Sequence, residues 1–401
     1  MRSLRITFLL TQSLESPSGL GRHWPICKEL ARLGHTVTIL ALHHDLASLQ
    51  TPRFVKEGVQ VWYVAQMHVL KTGNTKLYFS PWRLLSVSAV ATLSLAKAAL
   101  QLPTDAYHLA KPHPMNGTAG LLLHFLRKRR LFLDCDDYEA ASNRFTGAWQ
   151  RRGVRFFEDR LPQICDAITA NTRFTVGRLR QAGYPAGRII YVPNGVDRAR
   201  FAPIDHQTIE RTRAQLELGN RRIVLYLGSL SLANHAVDLL IEAFGSVART
   251  VPNATLLLVG GGEDYTRLQT QAEAQGFKEA IRFVGRVSPD QAPVYYALAD
   301  VSVDPVKNDL ASRARYPLKL VESLAMGTPV VTGDVGDRSE LLARGGGILV
   351  SAGDPRALAD GLSRVLQEPS LVTQLRAEAL AARQSYYWDR LIHDFARVYE
   401  S

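Results

Sequence analysis

In the stretch "SRARYPLKLVESLAMGTPVVTGD", Ser312 to Asp334, three cations and a carboxylate crowd around a proline: Arg313, Arg315, Lys319 and Glu322. A diphosphate needs cationic hydrogen-bond donors, and a guanidinium fork matches phosphate oxygens in shape and charge. A ribose needs an acceptor for two neighbouring hydroxyls, which a carboxylate supplies. The spacing predicts a helix opening near Leu318, with Glu322 about one turn in and the helix dipole favouring an anion at its start. A surface helix with ordinary charges is the competing reading.

Four further clusters have types that could do chemistry. "LFLDCDDYEAA" gathers Asp134, Asp136, Asp137 and Glu139 at a strand end. Such a cluster suits a divalent metal, a base or hydrogen-bond acceptor without metal, or a set of capping carboxylates. "YHLAKPHPMNG" sets His113 between prolines, either facing a ligand or purely structural. Gly19 and Gly21 in "SPSGLGRHW" would let backbone amides approach an anion at a helix start, or simply make a tight turn. Gly228 and Arg286 each follow an apolar run; a solvated loop arginine explains Arg286 equally well.

All of these residues sit just after short apolar runs. Six runs in the first half, from "RITFLL" to "AITAN", and six in the second, from "RIVLYLG" to "GGILV", alternate with helical patterns. Runs so apolar, without strict alternation, suit parallel strands covered on both faces. Val237, Leu240, Ile241, Phe244 and Val247 form one stripe of a helix over 236–250. "GDPRALADGLSRVL" predicts another, capped by Asp354 with Pro355 at its first position. The fold class is α/β: two doubly wound halves, with a linker expected over 194–207. Ligands of such sheets bind beyond the carboxyl ends of the strands, where the candidate residues lie.

A length of 401 residues favours two domains. The net charge of +11 fits phosphorylated small molecules, an anionic membrane or nucleic acid. Dispersed arginines without a nucleic-acid motif put phosphorylated ligands first and nucleic acid out. Cys27, Cys135 and Cys165 have no zinc spacing and leave an odd thiol, as expected of a reducing cytoplasm. The apolar start of the chain is too short for a signal peptide. "LLSVSAVATLSLAKAALQL" is the longest apolar segment, but its serines and Lys97 favour a buried or surface helix over a membrane span.

"YPLKLVESLAMGTPVV", "IIYVPNGVD", "ITANTRFTVGRL" and "GLGRHW…LARLGHTVTIL" together closely resemble the family 4 retaining glycosyltransferases, with the motifs in the family's order over nearly the whole chain. The resemblance implies a GT-B fold, two Rossmann-like domains around a cleft. Residues 1–200 would bind the acceptor and 201–385 the nucleotide sugar, with a helix over 386–401 crossing back onto the first domain. It implies transfer of a hexose from a nucleoside diphosphate sugar to an acceptor hydroxyl with retention, and no cofactor beyond that co-substrate. The acceptor would be a glycan, lipid-linked or at the cell surface. A sugar-nucleotide epimerase of the same fold and a catalytically silent binding protein are the alternatives.

Three departures from the family stand out. Glu322 matches the second glutamate of the E-x7-E pattern, but Ala314 replaces the first, which normally contacts the sugar. Ser229 and Asn234 stand near the places of the arginine and lysine that usually hold the diphosphate. Arg313, Arg315 and Lys319 are the available substitutes. Asp136 takes the place of a histidine near the sugar, so the resemblance favours a sugar or acceptor contact there over a metal. The expected site is therefore Asp136 and His113 for the chemistry, without metal. Gly19, Gly21, Gly228, Arg286, Arg313, Arg315, Leu318, Lys319 and Glu322 would bind the donor. Basic and apolar residues interleaved in "FLRKRRLFL" and "QRRGVRFFEDRL" suggest a peripheral site at the inner face of an anionic membrane.

Overall fold

Leucine, isoleucine and valine runs bounded by glycine or polar residues fold into short strands that are buried along nearly their full length. The structure, a computed structural model, describes residues 2–16, 18–72, 75–142, 145 and 147–400. It divides into two compact units, Met1–Pro193 with Trp388–Ser401, and Asn194–Tyr387.

The first unit is built on β1 (Arg5–Leu10), β2 (Thr36–His43), β3 (Arg53–Lys56), β4 (Val59–Gln66), β7 (Ala106–Ala110), β8 (Arg130–Cys135), β9 (Ala167–Ala170) and β10 (Ile189–Tyr191). Their order is β10-β9-β8-β7-β1-β2-β4-β3, parallel except for β3 at one edge. A separate hairpin joins β5 (Val69–Thr72) to β6 (Thr75–Tyr78). All six expected strands are present, and β3, β10 and the hairpin are additions. The alternation of side chains divides the core. Leu9 faces the layer of the Pro81–Leu100 and Pro114–Arg127 helices, and Phe8 and Leu10 face the layer holding Trp24, Trp388 and Phe395.

The second unit has six parallel strands: β11 (Arg222–Leu227), β12 (Ala254–Val259), β13 (Ile281–Gly285), β14 (Val301–Asp304), β15 (Val330–Gly333) and β16 (Gly347–Val350). They run in the order β13-β12-β11-β14-β15-β16. Its helices include Val237–Thr250 and Pro355–Gln367. The Asp354 carboxylate caps the latter, accepting from the Arg356 and Ala357 amides, a contact worth about 1 kcal/mol.

The units divide at 193/194 and 387/388 rather than at 200/201 and 385/386. Residues 194–201 belong to the second unit because the Val196 amide donates to the Tyr386 carbonyl at 2.8 Å and Phe201 is buried in that unit's core. Trp388, Leu391, Ile392 and Phe395 of the Trp388–Ala396 helix are buried in the first unit's core, so the last helix does return to it.

Candidate functional site

In the second unit the loops after β11 and β12 are laced together by their backbones. The Gly228 amide donates to the Val259 carbonyl at 2.9 Å, and the Leu230 amide to the Gly261 carbonyl at 3.1 Å. Gly260 has φ +139°, and a Cβ there would lie 1.9 Å from the Gly228 carbonyl oxygen. No side chain fits, which is why the loop after β12 opens with glycines.

Beside these loops stands a buried charge cluster. Asp304, the last residue of β14, accepts from Lys319 Nζ at 3.0 Å through one oxygen. Its other oxygen accepts from Arg338 Nε and Nη2 at 3.0 and 2.8 Å. Lys319 also sits 5.3 Å from the centre of the Tyr226 ring. Arg315 Nη1 donates to the Asn234 carbonyl and lies 3.4 Å from His235 Nδ1. Burial opposes the charge of Asp304, but Lys319 and Arg338 outweigh it and hold the carboxyl well below its usual range. Burial lowers Lys319 despite Asp304, with Arg315 and Arg338 adding repulsion. Burial, then Lys319 and Arg315, push His235 far below the ordinary imidazole range. It is therefore neutral at pH 7; Lys319 and Arg338 share the Asp304 carboxylate, while Arg315 is held by the Asn234 carbonyl.

The three candidate cations of the Ser312–Asp334 stretch thus separate. Arg315 and Lys319 reach the Gly228–His235 loop, the segment that holds Ser229 and Asn234. Arg313 is exposed and donates to Asn308 Oδ1 at 2.9 Å, away from that loop. Arg286 is exposed just past β13. Leu318 opens the Leu318–Ala325 helix, which carries both Lys319 and Glu322. Glu322 is buried and accepts from the Tyr296 hydroxyl at 3.0 Å. Burial raises its carboxyl, with Arg200, Tyr296 and Lys319 pulling the other way. Ala314 is buried at the end of the Leu310–Ala314 helix.

The first unit sorts its acidic cluster into two roles. Asp134 is wholly buried, accepting from Arg22 Nε and Nη2 at 2.7 Å each and from the Thr169 hydroxyl at 2.6 Å. His23 Nε2 lies 3.3 Å away. Against burial, the Arg22 guanidinium holds this carboxyl far below its usual range. Asp134 and Arg22 therefore form an internal strut, and Arg22 is committed to it. Asp136, Asp137 and Glu139 surround Lys111 Nζ at 3.2, 3.2 and 2.6 Å. An ammonium stands where a divalent ion would have to sit. Burial opposes the Lys111 charge, but the three carboxylates raise its pKa well above the ordinary lysine value. Lys111 has φ +76°, a left-handed conformation rare outside glycine, and such strain often marks a functional position.

His113 precedes the Pro114–Arg127 helix and stacks on His68 at 5.5 Å. Burial first, then His68 and Lys111, push it down to about 3, so its ring is neutral near pH 7. The Gly19 amide is already taken by Ser16 Oγ at 3.1 Å, and a Cβ at Gly19 would meet the Ser13 carbonyl oxygen at 2.2 Å. The Gly21 carbonyl accepts from Trp388 Nε1 at 3.1 Å. For Gly19, tight packing accounts for the residue, and its amide is bonded within the chain.

Two family models match the chain: "Glycosyl transferase 4-like domain" over residues 18–195 and "Glycosyl transferases group 1" over 221–368. Together they take in nearly the whole of both sheets. The chain belongs to the group 1 glycosyltransferases. A GDP-mannose-dependent alpha-(1-6)-phosphatidylinositol monomannoside mannosyltransferase of Mycolicibacterium smegmatis is 32% identical over 52% of this chain and 55% of its own. The chain thus spans about half the length of this curated relative. Sucrose-phosphate synthase of Thermosynechococcus elongatus superposes with TM-score 0.77 at 18% identity, over 99% of this chain and 98% of its own. Anabaena HepE, solved with UDP and glucose, does so at 0.73 and 19%, over 99% and 100%. The fold of this family member is GT-B.

Within this family member, sequence reasoning missed Lys111, Asp304, His235 and Tyr296. Two signals could have found the first pair. Carboxylates packed as densely as "DCDDYE" in a chain of net charge +11 need an internal cation, and Lys111 directly follows the neighbouring strand Ala106–Ala110. Asp304 closes the strand immediately before the Ser312–Asp334 stretch. His235 and Tyr296 lie on other elements and carry no comparable signal.

Proposed function

We propose that this chain transfers a hexosyl group from a nucleoside diphosphate sugar to an acceptor hydroxyl, with retention at the anomeric carbon. The observation that carries this reading is the meeting of Arg315 and Lys319 at the Gly228–His235 loop, where Arg315 bonds the Asn234 carbonyl and Lys319 Cε lies 3.4 Å from where a Cβ on Gly228 would stand, with Glu322 one helical turn beyond Lys319. Arg315 and Lys319 take the diphosphate, and Glu322 takes the ribose hydroxyls. As the glycosidic bond breaks, negative charge grows on the leaving diphosphate. Cations already fixed in a water-poor site stabilise that charge more than they stabilise the intact donor. The departing diphosphate oxygen accepts the proton of the attacking hydroxyl, and the new bond forms on the face the diphosphate leaves. No metal or other cofactor enters this scheme.

On the acceptor side, Asp136 acts as a hydrogen-bond acceptor held in place by Lys111, and His113 as a neutral hydrogen-bonding imidazole. The names of the relatives support a lipid-linked glycan as acceptor. The three unpaired cysteines support a cytoplasmic setting, with the enzyme peripheral at the inner membrane face. A thermal-shift panel of GDP- and UDP-sugars tests the reading, because a ligand of the native state raises apparent stability by mass action. A nucleotide sugar should raise the melting temperature, and its consumption should require an acceptor. Conversion of the donor without any acceptor would indicate epimerisation instead.

A further inference from the structure

The Pro81–Leu100 helix is long and apolar enough to cross a membrane, yet it lies along the Pro114–Arg127 helix on one face of the first unit's sheet. Ala91, Leu95, Ala98 and Ala99 fill the core, together with Ala119 and Leu123 of its neighbour. The opposite face is bare and apolar. Trp82 is 84% exposed, Leu93 65%, Phe125 67% and Leu126 69%. Trp82, Val90, Leu93 and Leu100 recur at helical spacing, so the exposure belongs to one stripe.

The charge around the stripe is predominantly positive. From Gly58 to Leu133 the chain has nine lysines and arginines and a single acidic residue, Asp105. Asp105 is itself paired with Arg5 at 2.6 Å. Arg83 and Lys97 flank the stripe on the first helix, and Lys128 and Arg129 follow the second; all four are exposed. His124, Phe125, Lys128, Arg129, Arg130 and one carboxylate, Asp166, line a surface hollow at that end; Asp166 accepts from the Leu131 amide at 2.7 Å.

We infer that the paired faces of the Pro81–Leu100 and Pro114–Arg127 helices are a docking surface for an anionic lipid bilayer, with Trp82, Leu93, Phe125 and Leu126 entering the interface and the flanking cations meeting the headgroups. An amphipathic face of this kind binds through buried apolar area plus attraction to anionic lipid. An apolar protein partner would explain the stripe but leave the predominantly positive rim without a role. The inference rests on the proposed membrane-side acceptor and replaces a general basic character with a defined surface.

The test is co-sedimentation of the full chain with vesicles of phosphatidylcholine alone or mixed with phosphatidylglycerol. Binding should require the anionic lipid and weaken with salt. Trp82→Ser combined with Leu93→Ser should lower partitioning roughly tenfold or more, with circular dichroism and melting temperature unchanged. Lys97→Gln with Arg129→Gln should reduce the preference for anionic vesicles. Wild-type partitioning by the Trp82/Leu93 variant, or no binding by the wild type, overturns the inference. So does a concentration-dependent dimer that the same variant converts to monomer, which would make a second copy the occupant. Donor binding measured without vesicles separates the two readings: a protein that binds nucleotide sugar but no vesicle loses only this surface.

Discussion

Glu322 is the residue whose type, position and burial agree most closely. It was legible because a lone carboxylate one turn into a helix, after a basic stretch, has few structural uses. Glu322→Ala should weaken donor binding by about 1–3 kcal/mol, the cost of leaving buried hydroxyls without a charged acceptor. Isothermal titration with the nucleotide checks this, and unchanged affinity in a folded variant removes Glu322 from the site. The cations were only partly legible. Sequence spacing placed Arg313, Arg315 and Lys319 at one helix mouth but not their directions. Arg315 turns toward Asn234 and Arg313 toward Asn308, a choice made by neighbours distant in the chain.

Strand-end loops and helix starts make the site possible, and at this scale the sequence was most informative. All twelve expected strands formed because period and composition bear directly on burial. The short edge strand β3 and three-residue β10 lacked enough pattern to be seen. Gly260→Ala should destabilise by roughly 3 kcal/mol or more, because its Cβ would collide with the backbone of the loop after β11. Gly177→Ala, in the Arg173–Gln181 helix with open space around it, should instead stabilise by about 0.5–1 kcal/mol. Chemical denaturation distinguishes the two. In the loop after β7, Lys111→Ala should cost about 3–5 kcal/mol by leaving Asp136, Asp137 and Glu139 without their cation. EDTA should leave wild-type turnover unchanged. Loss of activity restored by magnesium would reassign those carboxylates to a metal.

For the whole molecule, two buried groups set opposing pH slopes. His108 lies 4.6 Å from Phe8 and 5.2 Å from Phe395, with Nδ1 2.8 Å from the Tyr399 hydroxyl. Burial pushes it down to about 3. Its stabilising contribution is complete above the ordinary value of 6.5 and is lost as pH falls toward 3. Glu158 is raised to about 8 by burial, with nearby Arg178 opposing. Its contribution is complete below 4.5 and is lost as pH rises through about 8. His108→Phe should flatten the acid side of a melting profile, and Glu158→Gln the alkaline side. A parallel profile for either variant contradicts its assignment. Neither group was singled out from sequence, because their environments come from strands and helices far apart in the chain.

The central claim is that Arg315 and Lys319 supply the diphosphate's counter-charge in place of the cations missing at Ser229 and Asn234. The most direct measurement is transfer rate and donor affinity for Arg315→Ala, Lys319→Ala and Arg313→Ala, each checked for an intact fold. The account predicts that the first two raise the transfer barrier by about 2–4 kcal/mol and weaken nucleoside binding less. Arg313→Ala should stay within about 0.5 kcal/mol of wild type. Near-wild-type turnover for both Arg315→Ala and Lys319→Ala, or a larger loss for Arg313→Ala than for either, would contradict it.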